Sequence, residues 1–311
     1  MQNPPVEQAE VLVLGAGPAG INCALELNDE KINCLIVDRN ASAGGQLPEI
    51  PTEITNLAVG RFSNGRELQQ RLGELVQAAN LNLVSNENIV SCDLKAGSAA
   101  SASRIYQARA IFLATGYRLK LLPENESFKR FSNDIFYHTG SVQDQFVNRR
   151  VAIIGGGDSA VLEALERART ASEVVLINRS DKYKARLDLI RDLRSNSRIK
   201  VMSNASLGEM YGDEGLQEIR VHSTTGDTTE ICKIDKVIVK IGYLPNTEIF
   251  KGQIEMDSTG HIRVESDCRT SLAGIFAGGD IAAGGHDRIA YALGNGVMAA
   301  RSIRRYLESQ S

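Results

Sequence analysis

Residues 10–38, EVLVLGAGPAGINCALELNDEKINCLIVD, decide the fold. The apolar run at 10–14 reads as a strand buried on both faces, because such strands are continuously apolar rather than alternating. GAGPAG follows at 15–20, then a helix-like run, then a second strand at 34–37 that ends on Asp38. In such a unit Gly15 makes the tight turn from strand to helix and Gly17 lets the backbone approach a pyrophosphate. The small residue that follows lets helix and strand pack closely. The phosphates then meet unpaired N–H groups at the positive end of the helix. The same grammar returns at 150–178: RVAII, then GGGDSA at 155–160, a helix to about 171 and a strand ending on Asn178. From first glycine to strand end is 23 residues in both copies, 15 to 38 and 155 to 178. Two unrelated glycine turns do not reproduce both the order and the spacing.

A chain of 311 residues suits two domains of this kind. The net charge of -3 argues against nucleic acid or an anionic membrane as the main partner. The opening MQNPPVEQAE has no cationic stretch followed by an apolar run, and no window approaches a membrane-spanning length of apolar residues. Cys23, Cys34, Cys92, Cys232 and Cys268 are scattered and odd in number, which predicts free thiols in a reducing, cytoplasmic setting. A disulfide between Cys23 and Cys34 stays open, since sequence does not fix their separation. Neither these thiols nor the four histidines show metal-ligand spacing, so no metal is expected. GSAASAS at 97–103 reads as a surface turn between strands, and 257–261 as a hairpin turn.

The two copies differ where nucleotides differ. Asp38 can accept hydrogen bonds from ribose hydroxyls. The second copy has Asn178 and Arg179 there, followed by Lys182, Lys184 and Arg186. A carboxylate would repel a ribose 2′-phosphate, whereas cations would hold it. Ala160 in place of a third glycine fits the same choice. Arg179 is the strongest of these candidates. Lys184 and Arg186 suit a solvated face equally well.

Over nearly its full length the chain resembles the low-molecular-weight thioredoxin reductases and their relatives, the thioredoxin-reductase-like ferredoxin–NADP reductases and the bacillithiol disulfide reductase group. GAGPAG, GGQL at 44–47, ATGY at 114–117, GGGDSA, IGYLPNT at 241–247 and GIFAGGD at 274–280 carry the likeness. It implies an α/β fold of two Rossmann-like, three-layer ββα nucleotide-binding domains, the second inserted into the first. Residues 1–114 and 246–311 would form the FAD-binding domain and residues 115–245 the NAD(P)-binding domain. The apolar runs at 110–113 and 236–241 would lead into the two crossings, with Gly116 and Gly242 as hinge glycines.

The resemblance also implies site residues. Gly15, Gly17, Pro18, Ala19, Asp38 and Arg39 would hold the adenosine diphosphate half of FAD. Gln46 and Leu47, preceded by Gly45, would lie beside the isoalloxazine, with Thr115 and Gly116 at the first crossing. Gly279 and Asp280 would serve the ribityl and pyrophosphate region. Arg288, Ile289 and Ala290 open the last helix, whose N–H groups would face the flavin. NADPH, or another nucleotide, would fall to Gly155, Gly157, Asp158, Ser159, Ala160, Asn178, Arg179, Lys184 and Gly242.

One departure bears on function. Where thioredoxin reductases carry Cys-x-x-Cys, counting back from Val151 gives His138, Thr139, Gly140 and Ser141. The cysteine that the bacillithiol group carries in the first glycine motif is also absent, its place held by Pro18 and Ala19. A histidine near 138 and GGGDSAV are typical of the ferredoxin–NADP reductases, but those usually carry a C-terminal extension whose aromatic residue covers the flavin. Here Tyr306 is expected to pack on the last helix. His138 reads either as a flavin-facing proton donor or as a structural residue.

The expected function is an FAD-dependent oxidoreductase that takes hydride from NADPH. Its electrons would pass, without a dithiol, to a redox protein such as ferredoxin or flavodoxin, or to a small acceptor. Two alternatives remain. One is a flavoprotein whose second site no longer uses pyridine nucleotide, fed by ferredoxin or holding a second flavin. The other is a non-catalytic FAD-binding redox sensor. The resemblance further implies a homodimer.

Overall fold

In the computed structural model, which describes residues 4–140 and 142–310, the apolar run at 10–14 splits its side chains between two cores. Val11 and Val13 join one cluster, while Leu12 and Leu14 join another. Val151 and Ile153 likewise face one cluster, and Ala152 and Ile154 a second. Burial on both faces is why neither run alternates with polar residues.

The chain divides into two compact units, one running to Arg118 and resuming at Leu244, the other Leu119–Tyr243. In the outer unit, parallel strands Asn82–Val84, Cys34–Val37, Val6–Leu14 and Ile105–Leu113 lie in that order, and Ile275–Ala277 also pairs with Ile105–Leu113. Antiparallel strands Ser98–Ser101 and Ile89–Asp93 extend the sheet beyond Ile105–Leu113. Residues 98–101 are therefore sheet rather than a surface turn, with Ala99 1% exposed in the core. Their small side chains hid the strand, because β-propensity favours branched and aromatic residues. On one face the helices Pro18–Asp29 and Ile289–Ser309 pack together. Thr115 stays with this unit: its Oγ1 donates to Asn246 O at 2.7 Å, and Asn246 Nδ2 donates to Thr115 O at 2.9 Å.

The inserted unit holds a five-stranded parallel sheet in the order Ile135–Phe136, Lys236–Val239, Arg150–Ile154, Glu173–Asn178 and Ile199–Ser203. Helices Asp158–Arg167 and Leu187–Ser195 contribute to the cluster on one face. The other face carries the antiparallel strands Ala205–Tyr211, Glu218–Ser223 and Thr229–Lys233. The order is helix, parallel sheet, antiparallel sheet, the expected three layers.

Each unit turns from strand to helix through a glycine that nothing larger can replace. Gly15 has φ +110°, and a Cβ on it would lie 2.3 Å from Ala114 O. Gly155 has φ +144°, and a Cβ would lie 2.2 Å from Lys240 O. Gly17 and Gly157, two residues later, are extended with ordinary negative φ and face open space. Gly155→Ala should therefore cost about 1–3 kcal/mol or more in strain and displacement, while Gly157→Ala should stay within about 1 kcal/mol of the parent. Urea unfolding midpoints of the two variants measure the contrast.

Candidate functional site

The first cradle forms at the start of helix Pro18–Asp29, whose N-cap is Gly17. No side chain caps it, and a Cβ on Gly17 would meet nothing within 4 Å, so the helix opens onto free volume. Asp38, 8% exposed, turns back onto this loop: Ala16 N donates to Oδ2 at 2.6 Å and Asn40 N donates to Oδ1 at 2.7 Å. Each oxygen keeps lone-pair capacity for a ribose hydroxyl. Gly44 N donates to Ala16 O at 2.7 Å, and a Cβ on Gly45 would lie 3.1 Å from the Gly17 Cα. A Cβ on Gly279 would lie 3.2 Å from the Ala19 Cβ, and Gly279 N donates to Asn295 Oδ1 at 2.9 Å. The motifs at 15–20, 44–47 and 274–280 thus converge on one helix turn.

The remaining outer-unit candidates differ in availability. Arg39 is exposed, as is Ala290 in the first turn of the last helix, which has Arg288 as N-cap and Ile289 as its first residue. Gln46 is half-buried, with Nε2 3.5 Å from where a Cβ on Gly116 would stand. Leu47 sends its side chain into the core, and the Thr115 hydroxyl is committed to Asn246. Asp280 is half-buried; burial first, then Asp287, pushes its carboxyl up to about 6. Close by in this unit, Tyr117 Oη and His261 Nε2 lie 2.7 Å apart, a contact that no motif signalled.

The second cradle repeats the backbone and changes the side chains. Gly157 caps helix Asp158–Arg167 in extended conformation and also faces open space. Lys184 N donates to Gly156 O at 2.8 Å, matching Gly44 N to Ala16 O across 28 residues in both copies (156 to 184 and 16 to 44). The repeat therefore runs further than the strand ends. Arg186 closes on the helix start: its N donates to Asp158 Oδ1 at 2.7 Å and its Nε lies 3.2 Å from Oδ2. Asp158 so serves the loop, while Ser159 and Ala160 stand in the first turn, Ala160 fully buried. Asn178, 6% exposed, donates from Nδ2 to Ser180 O at 2.8 Å and to Lys182 O at 3.2 Å. Arg179, Lys182 and Lys184 are exposed and form no ion pair among the described residues. Gly242 has φ +95° with nothing near a Cβ, which suits a crossing.

His138 is exposed, and Ser141 lies outside the described residues. The intervening Thr139 is buried, its hydroxyl donating to Glu163 Oε2 at 2.8 Å. Lys240 Nζ lies 3.5 Å from that oxygen and donates to Tyr137 O at 3.0 Å. Buried Arg167 pairs with Glu163 at 3.1 Å and stacks over Phe146. No sequence pattern signalled this charged anchor under residues 137–139, because Thr139 and Lys240 lie far from the i,i+4 pair Glu163 and Arg167 that they join. All five cysteines are free thiols, Cys23 and Cys34 included. Burial raises each of them: Cys23 well above the usual range, Cys34 and Cys92 to about 12 and Cys268 to about 11. Tyr306 packs edge-on against Phe276, ring centres 6.2 Å apart. Among the described residues no group of acidic, histidine or cysteine side chains is placed to hold a metal, and no helix is long and apolar enough to cross a membrane.

Two open helix starts, each bounded by a glycine turn and a polar strand end, define a protein of doubled dinucleotide-binding architecture. Residues 9–299 match the family described as pyridine nucleotide-disulphide oxidoreductase. The chain is 31% identical to thioredoxin reductase of Vibrio cholerae over 325 residues, covering 98% of each. It is 32% identical to glucosaminate ammonia-lyase of Pseudomonas fluorescens, covering 97% of each. The crystal structure of T. acidophilum thioredoxin reductase superposes with a TM-score of 0.81 at 25% identity, over 98% of this chain and 99% of that one. The chain belongs to the pyridine nucleotide-disulphide oxidoreductase family. It is an oxidoreductase of the thioredoxin reductase-like class, whose enzymes contain FAD and depend on NAD(P)H.

Two expectations follow from the titrating groups. A thiol-exchange reagent at neutral pH should label the folded protein slowly and all five cysteines once it is unfolded, because the thiolate is the reactive form. Rapid labelling of Cys23 or Cys268 in the folded state would contradict their burial. For Asp280 the folded pKa stands above the ordinary 3.8, so the folded state binds the proton more tightly. Its contribution to stability is complete below about 4 and declines as pH rises through about 6. Asp280→Asn should flatten that decline in unfolding midpoints measured from pH 4 to 7.

Proposed function

We propose that the chain binds FAD in the cradle of Gly15, Gly17, Asp38, Gly45 and Gly279, and NADPH in that of Gly155, Gly157, Arg179 and Lys184. One contrast carries this reading: Asp38 offers carboxylate oxygens at the first strand end, whereas the second ends in an amide and unpaired cations. A carboxylate suits ribose hydroxyls; Arg179 and Lys184 suit a 2′-phosphate. Both cradles fit a pyrophosphate, since a bare Cα at Gly17 or Gly157 leaves room and the first helical N–H groups point there.

FAD supplies the redox chemistry, accepting two electrons together and releasing them singly or as a pair. The chain's own residues bind and orient. Gly17 and the first turn of Pro18–Asp29 receive one pyrophosphate, Asp38 its ribose, and Gly157 the other pyrophosphate. No side chain serves as nucleophile in this reading. The two cysteines nearest in sequence, Cys23 and Cys34, stand eleven residues apart, and both are held as protonated thiols. Electrons would accordingly leave for a redox protein such as ferredoxin or flavodoxin, or for a small acceptor, with no dithiol relay.

The test is an anaerobic titration of the yellow protein with NADPH, followed at the flavin band. Bleaching near one equivalent, with NADH much weaker, is the expected result. A band that stays oxidised with both nucleotides yet bleaches with dithionite would remove the NADPH assignment. A second flavin or a ferredoxin donor would then be sought.

A further inference from the structure

Asp38 and Asn178 occupy the same place in the repeat and point their side chains differently. Asp38 turns toward the glycine loop, where Ala16 N donates to it at 2.6 Å. Asn178 turns toward the chain that follows, both hydrogens of its amide directed at Ser180 O and Lys182 O. The residue after the first glycine differs to match. Ala16 stands in the first copy; Gly156 stands in the second, where a Cβ would lie 2.4 Å from Asn178 Oδ1 and 2.6 Å from its Cγ. The bare Cα of Gly156 therefore makes room for the amide.

We infer that Gly156 and Asn178 act as a pair that sets the nucleotide preference of the second cradle, with Asn178 positioning the basic loop rather than touching the ribose. Five hydrogen bonds shape that loop into an arch: Asn178 to the carbonyls of 180 and 182, Ser180 Oγ to Lys182 O at 2.8 Å, Lys184 N to Gly156 O, and Arg186 N to Asp158. The arch leaves the side chains of Arg179, Lys182 and Lys184 exposed beside the open helix start. An aspartate at 178 has no hydrogen to give those two carbonyls, and its charge opposes them and a 2′-phosphate alike. Asparagine is thus required by its donors, and a glycine at 156 by its missing Cβ.

This inference rests on the NADPH reading, and the test separates the two. Affinities of the full-length holoprotein for adenosine 2′,5′-bisphosphate and for ADP would be measured calorimetrically. The variants are Asn178→Ala, Gly156→Ala and the double Gly156→Ala/Asn178→Asp, which rebuilds the first copy's pair. Hydrogen exchange of the 179–186 peptide would be followed in parallel. Asn178→Ala and Gly156→Ala should each weaken the bisphosphate about tenfold with ADP little changed, and should speed exchange in the peptide. The double variant should favour ADP. Flavin absorbance and circular dichroism verify folding; if the double variant does not fold, the single variants decide. An unchanged affinity ratio with unchanged exchange in Asn178→Ala overturns the inference. A parent protein that binds neither probe rejects the NADPH reading instead, and the exchange rates alone then confirm or refute the tether.

Discussion

The structure depends on one close approach, a glycine backbone pressed against a neighbouring strand's carbonyl at the end of a buried strand. At Gly15 the carbonyl belongs to Ala114, and at Gly155 to Lys240. Any Cβ would sit well inside van der Waals contact distance of that oxygen, and the positive φ excludes most side chains in any case. Because the turn is so tight, the helix begins at the carboxyl edge of the sheet with its free N–H groups facing outward. The positive end of a 12-residue helix is then fixed where an anion can reach it. Each further cradle residue is placed by contact with that turn, as Gly45 is against Gly17 and Gly279 against Ala19.

Given two such turns, the two cradles differ in what the next strand delivers. Its end stands beside the glycine loop because the two strands are parallel neighbours in register, Leu14 with Val37 and Ile154 with Ile177. One side chain at that spot controls the local sign of charge. Asp38 accepts two backbone N–H bonds and keeps a negative field over the loop. The second copy has no acid there, and among the described residues Arg179, Lys182 and Lys184 form no ion pair, unlike Arg186, which Asp158 holds. In the proposed assignment the backbone would set where a dinucleotide lies, and a single strand-end residue with its loop would set which one.

Much of this was legible in the sequence, for identifiable reasons. The glycine turns were readable because backbone constraints permit few residues, so spacing alone exposes them. The buried strands were readable because parallel strands covered on both faces are apolar throughout. The direction of Asn178 was not readable: asparagine can donate or accept, and only the rotamer shows that its donors are turned into its own loop. Gly156 was hidden in a run of three glycines whose separate tasks look alike in one dimension. The strand at 98–101 was hidden because serine and alanine carry little strand signal, its place in the sheet being set by pairing with Ile105–Leu113. The Glu163–Arg167–Lys240 anchor was not read because Lys240 lies far away in the chain, while the i,i+4 spacing of Glu163 and Arg167 looks the same as that of a solvated helix pair.

The scaffold limits the chemistry without choosing it. A chain 31% identical to this one is a thioredoxin reductase, and another at 32% is a glucosaminate ammonia-lyase, so similar overall likeness accompanies unlike reactions. What distinguishes this member is local. The stretch 138–140 carries no thiol, and it is held by Thr139 on a buried carboxylate, an arrangement that fixes the backbone. The cysteines that do occur are raised by burial beyond the range in which a thiolate forms readily. With no thiol at 138–140 and the other thiols raised by burial, the proposed function assigns the electrons no covalent carrier on the chain. Under the proposed function they would leave from the bound cofactor to a docked redox protein or to a small acceptor.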